Sequence, residues 1–215
     1  MPATIEKVVE KGNGKAPMPQ GRMLALPKMD IRRLELELEG TSELIVHAWS
    51  EKAKKMILGK QTGKATSGKE PKDPKADYEG SMYRTPDGKP GILALGFKNA
   101  AVKACTSLTD LTKTAARQAF FVVGDVLPIV GKPHMREDMV RVGRGIADVR
   151  HRAGFWPWSV NIQVDYNNNA LTGEEIVNLF NVAGFAVGVF EWRPERNGGY
   201  GRFKVKAVTA HGIES

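Results

Sequence analysis

The chain has 215 residues, 32 Lys and Arg against 24 Asp and Glu, a formal charge of +8 and 41% hydrophobic residues. That length buries a self-sufficient core, and the single cysteine, Cys105, excludes an intramolecular disulfide framework and a Cys-rich zinc site. The most apolar stretches, Ala119 to Val123 and Phe185 to Phe190, fall far short of the roughly 18 residues of a membrane span, and Met1 to Pro17 is charged where a signal peptide is apolar, so a soluble, unsecreted protein is expected.

Met1 to Lys28 carries Gly12, Gly14, Pro17, Pro19, Gly21 and Pro27 among scattered lysines, which predicts a flexible basic arm over 1–28 and a single domain over 29–215. Leu34, Leu36 and Leu38 alternate with Arg33, Glu35, Glu37 and Glu39, the pattern of a half-buried first strand. Leu44 to Trp49 is apolar and places Trp49 in the core. Ser50 then caps a helix that Gly59 stops, with Ala53, Met56 and Ile57 facing inward. A Lys-rich insertion is expected at about 59–90, in which Tyr78, Met82 and Tyr83 form a docked turn.

Gly91 to Phe97 reads as a short strand, Lys98 to Gln118 as a helix in one or two pieces, and Phe120 to Val130 as a hairpin turning at Gly124-Asp125. Met139 to Ile146 alternates as a ribbon does, and Val160, Ile162, Val164 and Tyr166 mark a further strand. Thr172 and Glu175 form a capping box ahead of Ile176, Val177, Phe180 and Ala183, with Gly184 as the stop and strands over Phe185 to Glu191 and Gly201 to Val208. The order predicts an α+β fold: a ferredoxin-like or RRM-like antiparallel sheet with helices on one face and long insertions.

Positive charge is concentrated twice. Between Lys52 and Lys75 stand eight lysines, Lys52, Lys55, Lys60, Lys64 and Lys69 among them, against only Glu70 and Asp73. Lys132, Arg136, Arg141, Arg144, Arg150 and Arg152 face Glu137, Asp138 and Asp148. Lysine and arginine gathered in this way suit a polyanion, since each phosphate contact releases counterions, and arginine's planar fork suits phosphate and base edges. Trp156 and Trp158, flanking Pro157 just after Arg152, are the candidate base-stacking rings, the alternatives being that they close an edge of the core or form a subunit interface.

Enzymatic motifs are missing. Gly63 to Lys69 fits seven positions of a phosphate-binding loop, but Glu70 stands where a magnesium-binding hydroxyl belongs and no strand precedes it. His47, His134, His151 and His211 are scattered, Glu137, Asp138 and Asp148 are interleaved with arginines, and Cys105 lies on an apolar helix face. No catalytic residue, metal site or cofactor is expected.

The segments Leu44 to Lys54, Met135 to Gly143, Ile176 to Asn181, Glu191 to Glu195 and Gly201 to Phe203 resemble a set of small, uncharacterised proteins of tailed bacteriophages, over about Asp30 to Val208. The family's usual Arg is Ala48 here, and its usual Gly is Phe190. The element order also resembles, by topology alone, the RAMP-superfamily backbone subunits of CRISPR effector complexes. These resemblances imply a protein of the bacterial host cytoplasm that binds single-stranded DNA or RNA and forms a homo-oligomer, head to tail along the strand. The alternative is a phage structural or interaction protein, including an inhibitor of a host defence complex, that meets a partner through a basic surface.

Overall fold

The computed structural model describes residues 28–49, 51–63, 71–108, 111–142 and 145–212; the arm expected over 1–28 lies outside them except for Lys28. In chain order the elements are β1 (Ile31–Gly40), β2 (Leu44–Val46), α1 (Glu51–Gln61), α2 (Pro74–Gly80), β3 (Tyr83–Arg84), β4 (Pro90–Leu93), α3 (Ala94–Ala104), α4 (Lys113–Ala119), β5 (Phe120–Val122), β6 (Val126–Pro128), β7 (Pro133–Val142), β8 (Ile146–Phe155), β9 (Ser159–Asn167), α5 (Gly173–Val182) and β10 (Phe203–Gly212).

The fold is α+β, built on a four-stranded antiparallel sheet in the order β10-β1-β9-β5. Among these four strands the chain order is first β1, second β5, third β9 and fourth β10, so the spatial order 4-1-3-2 is that of a ferredoxin-like sheet. Leu34, Leu36 and Leu38 of β1 and Val160, Ile162 and Val164 of β9 point to one face, as period-two alternation requires. There they meet Phe97 of α3 and Ile176 and Phe180 of α5, and the edge-to-face pairs Phe97–Phe203 and Phe120–Phe180 tie helices to strands. The capping box is present: Thr172 Oγ1 accepts from the Glu175 amide, and the Glu175 carboxylate accepts from the Thr172 amide at 2.7 Å.

Several expectations need correction. The helix after Ser50 exists as α1, but Ile57 is exposed rather than in the core; the helix under the sheet is α3, whose Ala94, Phe97, Ala101 and Ala104 recur at helical spacing, so the strand expected at Gly91 to Phe97 ends at Leu93, in β4, and its last residues are helical. The hairpin expected at Phe120 to Val130 is divided, because β5 pairs with β9 in the main sheet while β6 pairs with β4 in a separate sheet, β3-β4-β6. Gly184 does not stop α5. A π-helical turn runs on through Ala183–Val187 in place of the expected strand, and the chain leaves it at Gly188, whose φ of 67° lies in the left-handed region. The ribbon β7-β8 is far longer than Met139 to Ile146, and with β2 it forms a third sheet, β2-β8-β7.

Candidate functional site

The face of the main sheet away from the helices is covered by ion pairs. Arg33 holds Asp165 through two hydrogen bonds of 2.5 and 2.7 Å, Lys206 meets Glu37 at 2.8 Å, Lys204 meets Glu39 at 3.1 Å, and Gln163 donates to Glu35 at 2.8 Å. Sheets that read RNA on this face stack bases on central aromatic rings; here the ring is Phe121, on the edge strand beneath Lys98. The RRM-like expectation therefore holds for topology and not for a stacking platform.

Two of the expected phosphate-binding arginines are committed elsewhere. The Arg152 side chain is 2% exposed, and its guanidinium donates to Asp138 at 2.8 Å and to Glu191 at 3.2 Å while lying 4.6 Å from the Trp192 ring. Arg136 pairs with Glu43 and, at 2.9 Å, with Asp138, and lies over the Tyr200 ring. Burial works against the Arg136 charge, but the hydrogen bonds to Asp138 and Glu43 outweigh it and raise its pKa. A desolvated guanidinium needs such carboxylates, so Arg136 and Arg152 fasten the loop at 188–201 to the ribbon. That loop holds Phe190, Trp192 and Asn197 at positive φ.

The tryptophans exchange roles. Trp158, expected as a stacking ring, is 2% exposed; its indole donates to the Ser42 carbonyl at 2.8 Å and fills the space where a Gly40 side chain would stand. Trp156 is exposed at the bend after β8. Trp49, expected in the core, is 59% exposed.

Trp49 stands at a cleft of about 810 Å³ between the end of β2, α2 and β8. Its walls bring Lys54 and Lys72 of the Lys-rich segment to Arg150 of the Arg-rich group, with His47, Tyr83 and the carboxylates Asp73, Asp77 and Asp148. Lys72 reaches across to pair with Asp148 and donates to the Val149 carbonyl at 2.8 Å, and Arg150 approaches the other Asp148 oxygen at 3.5 Å. The Lys72 hydrogen bond holds the Asp148 carboxyl below its ordinary range. Lys55 and Arg141 are exposed but do not line the cleft. The side chains of Lys52 and Lys60, and all of Lys64, Lys69 and Arg144, lie outside the described residues.

Burial lowers the pKa of His47 below 6.5; Glu191, 3.9 Å away, opposes the shift, and Arg150 and Arg152 add to it. With the folded value below the unfolded one, the neutral ring contributes stability that is complete above about pH 6.5 and is lost as the pH falls toward and through the folded value. His47→Gln is therefore expected to flatten the acid limb of a melting-temperature profile between about pH 8 and pH 5. An unchanged limb in thermal melts refutes the assignment.

Among the described residues no helix is long and apolar enough to cross a membrane, and no three His, Cys, Asp or Glu side chains are grouped to hold a metal ion. No family model matches the sequence, and no curated protein matches it. The chain superposes on solved structures. A chain in the cryo-EM structure of the type III-B Cmr-beta complex bound to cognate target RNA superposes with a TM-score of 0.50 at 12% identity, covering 84% of this chain and 61% of that one. Cmr6 from Pyrococcus furiosus gives 0.41 at 11% identity, covering 83% of this chain and 100% of that one. The protein thus spans about three fifths of the length of the Cmr-beta chain. At such identity the likeness is one of fold alone.

Proposed function

We propose that this protein binds single-stranded nucleic acid without turning it over, copies assembling head to tail along the strand. The observation that carries the reading is the convergence of Lys54, Lys72 and Arg150, from two distant basic segments, on one cleft with an exposed tryptophan at its wall. Cations that follow a backbone, joined to a ring that accepts any base, are the parts a single-strand site needs. The shared fold with a subunit of a complex bound to cognate target RNA supports the reading. The bacterial host cytoplasm is its setting, since the sequence resembles tailed-phage proteins.

A second reading, a phage interaction protein with a basic docking surface, is favoured by Met135, Met139 and Val149, exposed together on one face of the ribbon. Fluorescence anisotropy with labelled single-stranded RNA, single-stranded DNA and duplex, titrated with salt, separates the two. Tighter binding of single strands, weakening steeply with salt, is expected; no binding of any oligonucleotide at low salt rejects the first reading.

A further inference from the structure

The cleft has a chemistry more specific than that of a basic surface. Its aromatic wall is anchored: the Ala48 amide donates to the Ser81 carbonyl at 2.7 Å, and Leu44, Ile45 and Val46 just before it are fully buried, so the Trp49 ring projects from a fixed backbone. Cations lining the cleft are not equally available. Arg152 is held by Asp138 and Glu191, and Arg84 by Glu79. Lys72 and Arg150 instead share one carboxylate, Asp148, which leaves this pair with one positive charge in excess. The α2 wall is acidic: Asp73 accepts from the amides of Lys75 and Ala76, and Asp77 stands one turn on.

We infer that the cleft seats one nucleotide of a strand, its base on Trp49 and its single phosphodiester between Lys72 and Arg150, and that it rejects a nucleoside triphosphate. This rests on the nucleic-acid reading above. A volume of about 810 Å³ accommodates a nucleotide. One phosphate charge matches the excess on Lys72 and Arg150, whereas the further phosphates of a triphosphate meet Asp73 and Asp77 and are repelled. The base is held by its face, so the subsite is tolerant of base identity.

The test uses the full chain with oligouridylate, oligothymidylate, UMP and ATP as probes, reading tryptophan fluorescence and competition against a labelled oligonucleotide. Because the other tryptophans also emit, the quench at Trp49 is taken as the wild-type signal less that of Trp49→Ala. The expected result is quenching by oligonucleotide that Trp49→Ala mostly loses, with binding weaker by roughly ten-fold or more and largely rescued by Trp49→Phe, while ATP competes no better than UMP. Full-affinity binding by Trp49→Ala overturns the subsite and leaves the nucleic-acid reading standing. Competition by ATP far below the UMP concentration overturns the one-phosphate rule. A protein that binds no oligonucleotide rejects the underlying reading along with the subsite.

Discussion

Lys72→Glu combined with Arg150→Glu is expected to weaken single-strand binding by about 100-fold or more at low salt and to lower the slope of log affinity against log salt by about one. Both side chains are partly exposed and share Asp148. The double reversal removes the one phosphate contact the two side chains share and sets two carboxylates beside Asp148 in the cleft, so repulsion of the strand adds to the lost attraction. Surface ion pairs of this kind are worth at most about 1 kcal/mol, so the melting temperature moves little and lost binding is not a consequence of unfolding. Lys55→Glu with Arg141→Glu is the matched control, since both residues are exposed and neither lines the cleft. The control pair is expected to weaken binding by several-fold through long-range charge alone. If the two doubles are equally damaging, the strand does not use the cleft; if only the control is damaging, it follows the ribbon.

What the sequence made legible was local. Leucines on one parity of β1, alternation along β9 and the Thr172–Glu175 cap are each written within a few residues, and each stands in the structure. Placement was not written locally. The signals for α1 specify a helix but not what it packs on, and Ile57 is exposed; β5, the second strand of the main sheet, has three residues, too few for a period to show. The apolar run Phe185 to Phe190 fits a buried strand or a helical turn equally well by pattern, and the turn won.

Trp158 shares the parity of Val160, Ile162 and Val164, which puts its ring on the buried face of the strand it leads into. The Val142–Ile146 pairing sets Arg136 opposite Arg152 with Asp138 on the same face. Charge density along the chain does not reveal that these arginines are bound to carboxylates; the pairing across the ribbon does.

That ribbon carries the largest expected effect on stability. Arg136 and Arg152 are directly cross-strand neighbours, and Asp138, itself buried, accepts from both, at 2.9 and 2.8 Å. Like charges opposite one another destabilise an antiparallel pair, so the carboxylate is what allows two guanidiniums to share one buried face. Asp138→Ala leaves Arg152 with only Glu191 at 3.2 Å and Arg136 with only Glu43. Breaking a buried pair in this way costs about 3–5 kcal/mol, and for a chain of this size the melting temperature is expected to fall by roughly 10 °C. Asp138→Asn keeps an acceptor in place and should cost less. Removing the buried guanidinium as well, in Asp138→Ala with Arg152→Met, should recover part of the loss, because the remaining Arg136 keeps Glu43; that non-additivity distinguishes an uncompensated charge from a simple packing defect. Glu191 and Trp192 hang from Arg152, and Arg152 also lines the cleft behind Arg150, so Asp138→Ala should weaken oligonucleotide binding even below its melting range, with Asp138→Asn intermediate. Calorimetry and anisotropy on the same preparations decide the matter: an Asp138→Ala protein that melts within a degree or so of wild type would mean that Glu43 and Glu191 neutralise the pair without Asp138.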